Sequence, residues 1–180
     1  MTRFAGRTAN GIPRMALTHA ANPVLRIDGL VGRPLNLVPA ALAGLPRVPY
    51  LGEPSSVEGG NVPEVDWAGI RLSDLVALAE PAPEARFVYV KAGPYGVPVA
   101  LEDADGVLLC DRLNGVPLAV DQGGPWRLVV PGSRYFTSVK WVDRLEVTAE
   151  PPDNSAERIA RARARARASR ASAGSGLATQ

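Results

Sequence analysis

The chain is poor in the side chains that most metal and nucleophilic chemistry needs, with one cysteine and one histidine in 180 residues. A single Cys110 excludes an internal disulfide and any multi-cysteine zinc or iron–sulfur site. A single His19 leaves a Ser-His-Asp triad, a haem or a histidine-ligated metal resting on one side chain, so no catalytic residue and no metal ligand is assigned. No Walker loop or dinucleotide fingerprint occurs, because the Gly123-Gly124-Pro125 run leads into a strand and not into a helix N-terminus. No apolar stretch reaches the ~20 residues that span a bilayer. The opening MTRFAGRTANGIPRMALTHA is broken by Arg, Asn, Gly and Pro and lacks the parts of a secretory signal. A cytoplasmic protein is expected.

What is present points to strands and turns. The hydrophobic fraction is 46% and the charged fraction 21%, both near globular averages, and 17 Pro and 18 Gly are scattered among short apolar runs. Domains most often fall near about 100–150 residues, so one domain with appendages is expected. Its expected parts are an N-terminal arm over 1–22, a domain over 23–150, and an Arg/Ala-rich disordered tail over 151–180. The net charge of +2 belongs to that tail. Its six arginines outweigh Asp153 and Glu157 by four, leaving the rest of the chain at −2.

Along the domain, Val24–Leu30 reads as an opening strand followed by the turn Gly32-Arg33-Pro34. Pro39–Ala43 reads as a helical turn or two with Pro at its start. Arg47–Asp66 is expected to be a loop of about twenty residues, long enough to suggest function or disorder. Ser73 is expected to cap a helix over Asp74–Glu80 with an apolar face of Leu75, Val76, Leu78 and Ala79. Strands are expected at Arg86–Val90, Val97–Leu101, Val107–Leu113, Val116–Val120, Leu128–Val130 and Val139–Val147. The Asn114-Gly115 pair favours a tight hairpin, since both residues tolerate positive φ. The expected class is α+β, mainly β, with mixed sheets and short helices.

Five pieces in order carry a resemblance: VLRIDGLVGRPLNL from Val24, WAGIRLSDL from Trp67, LNGVPL from Leu113, QGGPWRLVVPG from Gln122, and SVKW from Ser138. Over about residues 24–148 the chain resembles the molybdopterin-binding domain of sulfite-oxidase-like oxidoreductases. The resemblance implies that fold, and a pocket for the pterin and phosphate of the molybdenum cofactor built from Gln122, Gly123, Arg127, Ser138 and Lys140. An Arg fork, a Lys point charge and glycine-freed amides suit anionic oxygens. The family's ligand cysteine belongs some fifteen residues before the Trp-x-Gly motif, where this chain has Tyr50-Leu51-Gly52-Glu53-Pro54-Ser55-Ser56 and no thiol. The family's phosphate-loop glycine and first basic residue are replaced by Tyr135 and Thr137, with Arg134 as compensating charge. Cys110 is expected to be a buried small hydrophobe.

Two functions follow from these expectations. The first is a molybdopterin-binding oxidoreductase-like protein of unassigned substrate, sulfite being disfavoured. The second is a non-catalytic binding or scaffold subunit that keeps the fold without molybdenum. A small-molecule substrate or redox partner protein goes with the first. The Arg158–Arg170 tail, charged all round and without an apolar face, fits an acidic partner or nucleic acid.

Overall fold

In the computed structural model, the described residues are 11–52, 64–132, 137–159, 161, 162, 165 and 166. Two five-stranded sheets carry the fold, and the helices among the described elements are short. The first sheet runs in the order β2 (Leu35–Leu37), β1 (Leu25–Gly29), β10 (Arg144–Thr148), β5 (Phe87–Ala92), β6 (Tyr95–Ala100). Within it β1 and β10 are parallel, while the other pairs are antiparallel. The second sheet runs β3 (Val48–Gly52), β4 (Val65–Arg71), β7 (Leu108–Leu113), β8 (Val116–Pro117), with β9 (Arg127–Val129) also pairing β7. The class is α+β and mainly β, as expected.

The two sheets share one core. Leu25, Ile27, Val88, Val90 and Leu145 from the first sheet join Ile70, Leu109 and Leu128 from the second and Leu75 from helix α3 (Leu72–Ala77). Alternation along β7 then creates a second, smaller cluster on the other face, because a strand's neighbours point opposite ways. Leu109 enters the main core, whereas Leu108 and Cys110 join Trp67, Leu113, Leu118 and Val129. The candidate residues described below lie on the side of this second cluster.

Several expectations about individual elements are corrected. Arg47–Asp66 is not one loop: Val48–Gly52 is β3, in antiparallel register with Val65–Gly69 of β4. Pro49 and Gly52 hide a strand whose stability comes from that partner. Residues 53–63 between the two strands lie outside the described residues. The helix begins at Leu72 rather than Asp74, and Ser73 does not cap it; its hydroxyl donates to Asp105 (3.3 Å). Val116–Val120 shortens to the two residues of β8, and Val139–Val147 to Arg144–Thr148. The hairpin itself forms as expected, with Asn114 at φ 50° and Gly115 at φ 78°. At Gly69, where the β4–β7 register shifts, a Cβ would lie 2.6 Å from the Cys110 Cα, so the Trp-x-Gly glycine permits close strand approach.

The stretch with no sequence periodicity contains helix α1 (Arg14–Ala21), which tertiary contacts hold in place. Ala16 is fully buried, the His19 ring sits 5.6 Å from Trp126, and its Nε2–H donates to the Val142 carbonyl (3.1 Å). At the other end of the domain Ser155 is buried, donating to Pro94 O (2.8 Å) and lying 3.2 Å from the Tyr89 hydroxyl. Both segments therefore grip the β5–β6 hairpin, where the end of the Met15 side chain packs on Gly93.

Cys110 is fully buried in the second cluster, and burial followed by the nearby Asp111 charge pushes its thiol up to about 12. Since the thiolate is the nucleophile, the native protein should not react with a maleimide at about pH 8, and unfolding in guanidinium should expose one reactive thiol. Leu145→Ala, in the strand between β1 and β5, should cost ~2–5 kcal/mol in urea denaturation. Leu51→Ala, at a side chain 62% exposed, should cost less than about 0.5 kcal/mol.

Candidate functional site

The site is built where β9 meets the chain that returns beside it. The Leu128 N–H donates to Val139 O (2.8 Å) and the Val142 N–H to Trp126 O (2.9 Å), so the chain at 139–142 returns alongside β9. Ser138 meets the Arg127 side chain directly, and Lys140 approaches it at Gly123. The turn before β9 is tied to it as well: the Trp141 N–H donates to Gly123 O (3.0 Å) and the Trp141 indole N–H to Val120 O (2.6 Å). Trp141 takes φ 60°, an uncommon value for a non-glycine residue, at the point where these bonds converge.

Arg127 is the centre of the arrangement and is only 4% exposed. Its Nε donates to Ser138 Oγ (3.0 Å) and its Nη1 to the Gln122 carbonyl (2.9 Å), while the Ser138 hydroxyl donates onward to Leu128 O (3.0 Å). Its guanidinium carbon stands 5.1 Å above the centre of the Trp67 ring. Lys140 Nζ donates to Asp121 O (2.7 Å) and lies 5.9 Å from the Trp141 ring centre. Gly123, at φ 110°, lies against both cations: a Cβ there would stand 2.9 Å from Lys140 Cγ and 3.2 Å from Arg127 Cδ. The five residues singled out from the sequence thus fall in one place. The Gln122 side chain faces its own turn, its Oε1 accepting from the Ala119 N–H (3.3 Å), and it serves Arg127 through its main chain.

Burial sets the electrostatics around the two cations. Burial pushes the Arg127 guanidinium down to about 10, with Cys110 acting in the opposite direction. The Lys140 ammonium is lowered by burial first and then by repulsion from Arg127, against the pull of Asp121. Two cations that destabilise each other's charge gain when an anion joins them. Together with the glycine-bared main chain at Gly123, this donor set fits phosphate or pyrophosphate oxygens.

The metal side of such a site is different. Among the described residues no group of three or more His, Cys, Asp or Glu side chains could hold a metal. Cys110 is enclosed among Trp67, Leu108 and Leu113 with a raised pKa, which is the environment of an inert thiol. Tyr50–Gly52 of the thiol-free stretch form the end of β3, while Glu53–Ser56, Arg134 and Tyr135 lie outside the described residues. Trp67 was legible in the sequence only as part of a motif, since nothing in the spacing placed its ring under Arg127, sixty residues away. A contact between strands that do not pair in sequence order leaves no local signal.

Comparison with known proteins identifies the family. The family model for the oxidoreductase molybdopterin binding domain matches residues 11–156. The NADPH nitrate reductase of Fusarium oxysporum is 35% identical over 98 residues, which is 49% of this chain and 11% of that protein. The mitochondrial sulfite oxidase of Drosophila melanogaster is 29% identical over 153 residues, which is 75% of this chain and 27% of that protein. The sulfane dehydrogenase SoxCD of Paracoccus pantotrophus superposes with a TM-score of 0.63 at 30% identity, covering 71% of this chain and 38% of that one. The chain thus spans about a quarter or less of the curated relatives cited. The sulfite-oxidase-type fold expected from the resemblance is the fold found, and the chain belongs to the oxidoreductase molybdopterin binding domain family.

Proposed function

We propose that this chain binds the pterin and phosphate of a molybdenum cofactor through Gly123, Arg127, Ser138 and Lys140, with the Gln122 main chain fixing the arginine. The observation that carries the reading is the buried Arg127 beside Lys140, two cations held together at a glycine-lined turn. Arg127 would take a phosphate in its planar fork, Lys140 would add a point charge, and the Ser138 hydroxyl would orient the fork. Bound there, the cofactor would supply oxidation–reduction chemistry at its metal. The chain's own part is to bind, orient and shield it. No thiolate of this chain is available to the metal, since its one cysteine is buried and strongly protonated.

A second reading is favoured by that missing thiolate: a binding or scaffold subunit that keeps the fold without molybdenum. Under the first reading a small-molecule substrate and a redox partner protein go with the bound cofactor. The Arg158–Arg170 segment is the docking element we assign to an acidic partner or nucleic acid. At its start Arg158 is already paired with Asp153 (3.0 Å) and Arg161 with Glu157 (2.5 Å). No helix of the described residues is long and apolar enough to cross a membrane. The cytoplasmic location expected from the sequence is kept as part of this proposal.

Purified from molybdenum-replete cells, the protein should carry near-stoichiometric molybdenum by elemental analysis and release a fluorescent pterin on oxidation; absence of both selects the scaffold reading. Arg127→Ala should retain roughly a tenth or less of the pterin, the loss expected for a charge-assisted hydrogen bond of ~1.5–3 kcal/mol. Inorganic pyrophosphate should raise the thermal midpoint of the wild-type chain and leave that of an Arg127→Ala, Lys140→Met double variant unchanged, because only the native site couples anion binding to folding.

A further inference from the structure

Four successive carbonyls of the turn before β9 each accept a hydrogen bond from the residues that follow it. Val120 O accepts from the Trp141 indole N–H (2.6 Å), Asp121 O from Lys140 Nζ (2.7 Å), Gln122 O from Arg127 Nη1 (2.9 Å) and Gly123 O from the Trp141 main-chain N–H (3.0 Å). Trp141 thus holds the first and the last of the four. In extended chain successive side chains point to opposite sides, so Lys140 and Trp141 could not both reach one turn. The chain bends at these two residues, and φ 60° at Trp141 brings both side chains to adjacent carbonyls. The same bend sets Lys140 Nζ 5.9 Å from the centre of the Trp141 ring. Glycine takes such a backbone without strain, whereas a bulky residue is an outlier there and persists where its surroundings over-determine it. What its side chain holds therefore explains the tryptophan.

Resting on the anion-site reading above, we infer that Trp141 is a positioning residue of that site: its two N–H groups clamp the turn at 120–123, its ring flanks the ammonium, and Lys140 is held beside Gly123 before an anionic oxygen arrives. A lysine carries its charge on a flexible four-carbon stem, and fixing that stem in advance removes an ordering cost from binding. The clamp also leaves a mark on the lysine itself. Burial first, and then repulsion from Arg127, hold the Lys140 ammonium below its ordinary value. Releasing the turn readmits water to the ammonium and should let that value rise. Lys91 and Lys140 are the two lysines of the chain, so the titration of one can be told from that of the other.

The test combines calorimetric titration of inorganic pyrophosphate with carbon-13 NMR of the lysine Cε signals against pH, on the full chain labelled at lysine, with thermal midpoints recorded for each variant. Lys140→Met assigns the two signals. Trp141→Phe, which keeps a ring without the indole N–H, and Trp141→Gly, which accepts φ 60° without strain, should each weaken pyrophosphate binding by about fivefold, the loss expected for one hydrogen bond. Both should also move the Lys140 titration to higher pH and leave that of Lys91 in place. Val142→Ala opens a cavity in the main core next door, so it should lower the thermal midpoint, leave affinity within about twofold and leave the Lys140 titration unmoved. If Lys140→Met loses binding while both Trp141 variants bind and titrate as the wild type does, the positioning role is wrong and the anion site stands. If Val142→Ala moves the Lys140 titration as far as Trp141→Phe, the tryptophan acts by general packing and the inference falls. If Lys140→Met binds pyrophosphate as the wild type does, the lysine belongs to no anion site and the inference falls with that reading.

Discussion

Burial of one guanidinium organises this half of the molecule. A charge removed from water is tolerated only where hydrogen bonds and attractive partners replace its hydration. Arg127 has both, in Ser138, the Gln122 carbonyl and the Trp67 ring. Each of those partners imposes a demand on the backbone. Ser138 must run beside β9, the turn at 119–123 must close tightly enough to aim a carbonyl inward, and β4 must lie next to β7 so that its tryptophan reaches across. Gly123 follows from the same constraint, since any side chain there would meet Lys140 and Arg127.

The two faces of β7 then divide the labour. Leu109 belongs to the main core that joins the sheets, and Cys110 belongs to the small cluster beneath the cations. On the proposed reading, an anion-binding half is assembled here from two cations, a hydroxyl and a bare turn. The thiolate half has no counterpart in the sequence, and the one cysteine is placed where burial keeps it protonated.

Much of the architecture was legible in the residues. The Asn114-Gly115 hairpin, the opening strand at Leu25–Gly29 and the proline-initiated turn at Pro39–Leu42 each carry their own local signal. Strand β3 was not legible, because Pro49 and Gly52 disfavour a strand locally and only the pairing with β4 overrides them. Helix α1 was missed for the same kind of reason: its eight residues show no apolar stripe, and His19 and Met15 are satisfied by Trp126, Val142 and Gly93 far along the chain. Ser73 looked like a cap and instead bonds Asp105, a choice made by the 3₁₀ turn at Leu101–Gly106 packing against α3.

By itself the sequence determined the residue types and their order: a strand-and-turn domain, one basic tail, one cysteine, and an arginine, a serine and a lysine near a double glycine. Those follow from local propensity and composition, which need no partner. Only the tertiary structure decided that Arg127 is buried, that its guanidinium lies over the Trp67 ring, and that Gln122 meets it through its main chain rather than its side chain. The physical reason is that charge burial and ring stacking are properties of distances between strands, and those distances exist only once the sheets have closed on each other.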